Sequence, residues 1–587
     1  MNRSRARIRR SRTSRAPRPR RALPAPRTEA IAPPRHRRDR HRTTARAHAP
    51  LLLHGHPMTS SPRPGPVVWE IAAHLRLESD THVGAARNPG DHVVRGDADL
   101  HLDRDPRTGL PRVRATTLAG IMRHELAART GDPGRVRALF GSSGAHRDVP
   151  QSTGALDLDD ARTVLPEGAA VAIRTGTRVD PATGTVHPGR VWRWEVLPAG
   201  TLLTAHLRLR CPAPADEPRL LALLLTAVTG LEGHGPGARL GARTGRGFGA
   251  VAAVRWTAAR HDLSGEDGWL AYHGRTWAQR WAAEPPSDAA TRLARALDRE
   301  LRAHGRHPAA ADLAARSDTG DHRHRAELRL TLAAGERPAP PPGPPPGRAQ
   351  GDPRPVPLML GDLPAADRAG EADRAHRHRP VPDGPHGVRI APLLGDTALY
   401  SLFKRIGARL VRDAAERWGA PPEHGRDWHA HWWGADTPPA ASRVRLRSAP
   451  VLSGGAPLTT TRLTVDALFG DAVDGHLFTA DLYCGGTAEA VLDISEPDDA
   501  VLGLLTLVVR ELATVPFETL GAGTGGGNGR LTATRARVSI RTGGSAHTVD
   551  LITALFDPES GEAATARGWL AALRTALTAE GPGEGTR

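Results

Sequence analysis

The residues best placed to do chemistry are the glycines and arginines of a short loop that the chain carries twice. Leu240-Gly241-Ala242-Arg243-Thr244-Gly245-Arg246-Gly247-Phe248-Gly249-Ala250-Val251 returns 280 residues later as Leu520-Gly521-Ala522-Gly523-Thr524-Gly525-Gly526-Gly527-Asn528-Gly529-Arg530-Leu531, with seven of twelve positions identical. A residue without Cβ takes positive φ angles and lets a polyanion approach backbone N–H groups. Arg243 and Arg246 add guanidinium forks that match phosphate oxygens in pairs. The plainer reading is a tight structural turn. A dinucleotide fingerprint is excluded by order, because here the loop follows a helix and opens a strand. A second polar stretch, Asp97-Ala98-Asp99-Leu100-His101-Leu102-Asp103-Arg104-Asp105, reads on its own as a solvated loop. In that reading Asp103 and Asp105 pair with Arg104, Arg107 or Arg112. His424, His429 and His431 have near-ligand spacing but no acidic or cysteine partner, so they read as structural. Cys211 and Cys484 are too far apart in sequence for a ligand pair or disulfide framework, and a reducing cytoplasm fits them.

Landmarks around the loops must position them. Thr116–Arg123 matches Thr397–Lys404, Leu139-Phe140-Gly141 matches Trp432-Trp433-Gly434, and Gly200–Leu207 matches Gly475–Leu482. Landmarks in one order at similar spacing indicate two copies of one domain. Each copy reads as β-α-β-β-α-β. In the first, Val68–Leu77 is a strand, Thr117–Arg129 a helix, and Leu202–Leu209 a strand. Pro218–Leu231 is a helix and Val251–Trp256 the last strand. Val171–Val179 and Val191–Leu197 flank Asp180-Pro181-Ala182-Thr183-Gly184, a turn-forming sequence, and predict a long hairpin. The second copy predicts strands at Ala326–Leu332, Arg443–Arg447, Leu477–Tyr483 and Leu531–Ile540, with helices at Leu399–Arg412 and Ala500–Leu512. The expected fold is α+β, two ferredoxin-like (RRM-like) domains in tandem with hairpin and Pro-rich insertions. Expected boundaries are 58–262 and 321–560, joined by a helical connector at 263–320. A poorly ordered Pro-rich insertion is expected at about 334–385, and a C-terminal helix and tail at 561–587.

The chain has a formal charge of +17. Residues 1–57 carry 17 Arg against Glu29 and Asp39, so that tail holds most of the excess. Its composition predicts disorder. It reads either as a basic arm for nucleic acid or as dispensable, since Met58 stands just before the first strand-like run. Lys404 is the only lysine against 79 arginines, a ratio that points to codon bias rather than selection for a polyanion. The longest apolar run, 220–231, is too short for a membrane span, and residues 1–30 lack a signal-peptide core. A soluble, cytoplasmic protein without a membrane partner is expected.

Taken together, the first copy resembles the RAMP superfamily, the ferredoxin-like RNA-binding proteins of type III CRISPR effector complexes. The resemblance rests on His82-Val83-Gly84, Arg104–Pro111, Ala115–Arg123, Leu139-Phe140-Gly141, the hairpin, Glu195–Gly200 and the glycine loop, and it covers about 67–257. The second copy resembles the family at Thr397–Lys404, Trp433-Gly434, Gly475–Leu482 and Gly521–Arg530, while its segment before the helix does not align. The resemblance implies a backbone subunit that holds CRISPR RNA, with target RNA and other type III effector subunits as partners. It implies RNA contacts at Arg123, Arg243, Gly245, Arg246, Gly247, Gly249, Lys404, Gly525, Gly527 and Arg530. It also implies a catalytic aspartate before the first helix, at Asp99 or, two residues earlier, Asp97. The departure is His101, where the family usually has Pro. A carboxylate at Asp99 would bind a divalent cation, Mg2+ or Mn2+, or help activate the ribose 2′-OH. Asp362, Asp367 and Asp373 have no matching context, so no second active site is expected. The alternatives are a non-catalytic structural subunit and a CRISPR RNA processing endoribonuclease using His124.

Overall fold

The computed structural model describes residues 66–85, 98–142, 152–179, 186–281, 290–305, 321, 323–336, 353–362, 370–384, 387–436, 438–514, 516–542, 545–579 and 582. The N-terminal tail and Asp97 lie outside them, and residues 63–587 form one compact unit.

In the first half, strand Val67–Leu77 alternates so that Val67, Trp69, Ile71, Ala73, Leu75 and Leu77 point to one face, and all are buried. It lies between Leu202–Cys211 and Ala250–Asp262, antiparallel to both. Two short strands, Leu156–Leu158 and Ala161–Val164, line the far edge of Leu202–Cys211. Helices Ala115–Thr130 and Glu217–Val228 cover the apolar face through Leu118, Met122, Leu126, Leu220, Leu221, Leu224 and Val228. Each such buried leucine contributes about 1.5–3 kcal/mol.

The second half repeats this path. Arg325–Glu336 lies between Thr487–Ser495 and Leu531–Thr542, with Val444–Leu446 outermost beside Thr487–Ser495. Helices Asp396–Arg417, Asp499–Ala513 and Gly561–Thr578 build its separate core, which includes Trp432 and Trp433. From the connector, helix Leu293–Ala303 joins the first core, and the Arg260 N–H donates to Glu300 Oε1 at 2.9 Å.

Several expectations need correction. The counterpart of Leu202–Cys211 is Thr487–Ser495, which begins after Gly485-Gly486, rather than 475–482. Residues 475–482 belong to a hairpin of the second half, Ala456–Val465 paired with Ala472–Cys484. Thr204–Leu207 and Thr479–Leu482 share the pattern Thr-Ala-X-Leu, and a period of two does not tell neighbouring strands apart. The short strand Leu156–Leu158 was not foreseen. The predicted Pro-rich insertion contains structure: Arg354-Pro355, Pro357-Leu358, Gly361-Asp362, Arg374–His376 and His378–Asp383 are strands held by partners distant in sequence. The first hairpin is Ala172–Val179 with Val186–Val196, so its second arm starts five residues earlier than predicted.

Candidate functional site

The hairpins carry the features closest to chemistry. In the first half, the segment before helix Ala115–Thr130 runs beside the strand Val186–Val196. The Asp99 N–H donates to the Arg193 carbonyl at 2.8 Å, and the Arg193 N–H donates back to Asp99 Oδ2 at 2.7 Å. The carboxylate is exposed yet aimed. Beyond it, Glu195 fastens the segment, accepting from the Leu102 N–H at 2.9 Å and from Arg104 at 3.0 Å. Asp103 is buried between Arg112 and Arg114, and the Arg114 hydrogen bond lowers its pKa. Asp105 accepts from the Arg107 and Thr108 backbone N–H groups, closing a turn. The acidic stretch is therefore divided. Asp103 pairs with Arg112 as expected and with Arg114 besides, Asp105 accepts from backbone N–H groups rather than from an arginine side chain, and Asp99 is exposed beside the hairpin.

The second half has the same arrangement where none was expected. The Asp373 N–H donates to the Thr479 carbonyl at 2.8 Å, and the Thr479 N–H donates to Asp373 Oδ2 at 2.8 Å. Arg374 then pairs in parallel with Ala480, as Leu100 does with Trp194. Asp373 is exposed too. Sequence comparison missed it because a Pro-rich stretch of different length and composition precedes it. The backbone pairing restores the register, with Leu360-Gly361 standing where Val83-Gly84 stands. The only signal was the Asp itself, one of three in that stretch.

The glycine loops share one backbone. Arg243 has φ +62° where Gly523 has +79°, and Gly241, Gly247 and Gly249 match Gly521, Gly527 and Gly529 in positive φ. A Cβ at Gly249 or Gly529 would overlap the carbonyl oxygen of Leu240 or Leu520. At those positions the structural reading of the glycines holds. In the first loop the Gly245 carbonyl accepts the Leu446 N–H of the second half at 2.9 Å, and Gly247 is buried against Ser448. Arg243 lies over Trp194 at 4.0 Å and Trp192 at 5.6 Å, and burial lowers its pKa. The second loop, including Gly525 and Gly527, is mostly exposed, and Arg530 pairs with Glu336. The first loop, read from sequence as a phosphate cradle, has partners inside the chain. Its backbone faces the other half of the chain, and Arg243 lies on tryptophans.

Arg123 and Lys404 occupy equivalent places with equivalent partners. Arg123 donates to the carbonyls of Phe140 at 2.9 Å and Gly141 at 3.3 Å; Lys404 donates to those of Trp433 at 3.1 Å and Gly434 at 2.9 Å. Each cation caps the C-terminus of the following helix, where carbonyls lack partners and the helix dipole is negative.

The histidines are dispersed. His424 faces the Leu577 carbonyl and His429 the Lys404 carbonyl. Among the described residues, no group of three or more His, Cys, Asp or Glu side chains is arranged to hold a metal. A single exposed carboxylate still fits Mg2+, which is often held by one or two carboxylates plus substrate phosphates. Burial drives His376 and His429 down to about 4 from an ordinary value of 6.5. The folded protein keeps both neutral, whereas the unfolded chain protonates them as pH falls below 6.5. The unfolded state therefore binds more protons between 6.5 and 4, and stability falls as pH falls through that window. The expected loss is about 1–3 kcal/mol per histidine. Urea unfolding midpoints of the wild type and of a His376→Gln/His429→Gln variant should diverge with pH. Parallel curves would contradict the assignment.

The chain is a mixed α and β protein with two exposed carboxylates held on hairpins, each beside a sheet of the same strand order. Residues 74–252 match the family model of the RAMP superfamily, so this part of the chain is similar to RAMP-type proteins. That superfamily is associated with CRISPR-related RNA-binding proteins. The match runs from within the central strand to the start of the strand after the first glycine loop, so it includes Asp99 and the first hairpin. No curated protein matched the chain. Among the described residues no helix is long and apolar enough to cross a membrane.

Proposed function

We propose that the chain is a CRISPR RNA-binding backbone subunit of a type III effector complex, with two ferredoxin-like RAMP domains in one polypeptide. In this reading it cleaves complementary target RNA at Asp99 and at Asp373. The observation that carries the reading is the RAMP match over 74–252, in which the hairpin root orients the exposed Asp99 carboxylate. Its repetition at Asp373 extends the reading to the second half.

Asp99 and Asp373 are positioned to accept a proton from a ribose 2′-OH, or to hold a divalent cation together with an RNA phosphate. Such a cation supplies charge stabilisation for the phosphorane-like transition state. The hydrogen bond from the neighbouring strand fixes one oxygen of each carboxylate, which limits the orientations the group takes. Sequence specificity in this scheme comes from base pairing to the guide, and the protein contributes backbone contacts and orientation. The scarcity of aromatic residues agrees with limited base stacking.

The test is the RNA that travels with the protein. Full-length protein isolated from cells with its own CRISPR array should carry short RNAs of uniform repeat-derived ends. Random cellular fragments in their place would sink the reading.

A further inference from the structure

A cavity of about 360 Å³ opens between the two halves. Helix Ala115–Thr130 and the stretch that follows helix Glu217–Val228 wall it from the first half. The start of strand Arg325–Glu336, Arg445 and residues 493–496 wall it from the second. Its size suits a small organic ligand.

The charges around it do not all find partners. Glu125 is held by Arg129 at 2.6 Å and by Arg323 at 3.0 Å, and Arg325 pairs with Asp321 at 2.9 Å. Asp493 is taken by Arg447, and Glu496 stands exposed to solvent. Arg239 of the first half and Arg445 of the second remain. Their hydrogen bonds go to carbonyls, Arg239 to that of Phe248 at 3.4 Å and Arg445 to that of Ser442 at 3.0 Å. Among the described residues neither makes an ion pair. Burial, with Arg447 and Arg445 nearby, brings the pKa of Arg239 down to about 10, so the half-buried guanidinium is still charged at neutral pH. A cation placed there has lost hydration without gaining a counter-charge, and a bound anion supplies one. The cavity also has apolar lining, from Ile121, Leu231, Pro236 and Ile494. A flat ring against these side chains leaves water, while guanidinium forks match phosphate oxygens.

We infer that this cavity binds a small organic phosphate the size of a nucleoside monophosphate. Arg239 and Arg445 share its phosphate and the apolar lining takes its ring, so the ligand bridges the two halves. Two unmatched guanidiniums neutralise one phosphate dianion, whereas a nucleic-acid strand is held by a row of cations. This inference does not depend on the RNA assignment, which uses neither arginine.

The experiment is isothermal titration calorimetry of nuclease-treated, full-length protein with AMP and UMP, compared with adenosine, uridine and inorganic phosphate. Each nucleotide should bind at one site per chain, at least about tenfold more tightly than its nucleoside or inorganic phosphate. Saturating nucleotide should also raise the thermal unfolding midpoint. Arg239→Met and Arg445→Met should each weaken nucleotide binding by about tenfold or more. Arg445 is exposed, so its variant reports on the site even where Arg239→Met impairs folding. A wild type that binds neither nucleotide overturns the inference. So does nucleotide binding unchanged in either folded variant, or nucleotide, nucleoside and phosphate that bind equally. A short oligoribonucleotide that binds through Arg239 and Arg445 while the monophosphates do not overturns it as well, since the cavity would then belong to an RNA groove.

Discussion

Under the proposed function, replacing Asp99 and Asp373 with alanine should lower cleavage of complementary target RNA by the assembled complex by about 10²–10⁴-fold, the usual contribution of a positioned acid–base group. Each single replacement removes one of two product bands and leaves the other, because the carboxylates sit on different hairpins. Electrophoresis of end-labelled target resolves the two positions. Asparagine variants separate chemistry from architecture. An Asn side-chain oxygen still accepts the Arg193 or Thr479 N–H, so guide binding and stability should survive while the band is lost. Undiminished cutting by the double alanine variant would refute catalysis at these residues. Loss of guide binding in the asparagine variants would show that the aspartates are only structural.

Replacing Arg174 with methionine should destabilise the protein by about 3–5 kcal/mol, the cost of stranding buried charge. Arg174 lies on the first hairpin and reaches Asp80 of the first half at 2.5 Å and Asp396 of the second at 3.3 Å. All three are nearly inaccessible, between 5% and 7% exposed. Without the guanidinium, two carboxylates face each other in a poorly solvated space. A triple variant, Arg174→Met with Asp80→Asn and Asp396→Asn, should recover much of the loss, because the uncompensated charge is gone. Chemical denaturation reads both effects. A single variant within about 0.5 kcal/mol of wild type would mean that the three groups are not coupled.

The parts of this fold visible in the sequence are those fixed by local sterics. The loop glycines matched in register because Gly249 and Gly529 each sit against a backbone carbonyl that tolerates no Cβ. The Phe140-Gly141 and Trp433-Gly434 pairs matched because a side chain at either glycine would strike the backbone of the following segment. Arg123 and Lys404 matched for the same local reason, as caps of those helices. What stayed hidden was long-range pairing. Asp373 is tied to a strand about a hundred residues away, through a segment whose composition resembles a linker. The edge Leu156–Leu158 is three residues long and gives no periodic signal. The occupied face of the first glycine loop was invisible as well, since Leu446 has no sequence relation to Gly245. The packing of Arg243 on Trp192 and Trp194 was likewise hidden, since its charge alone suggested only phosphate.

The first glycine loop seats on the second half through the hydrogen bond between Gly245 and Leu446. Between separate molecules such a seat would be weak. Inside one polypeptide the two surfaces meet at an effective concentration in about the millimolar range, so even a poor contact stays closed. Fusion of the halves, together with the buried Arg174–Asp396 contact, thus holds Asp99 and Asp373 on one body.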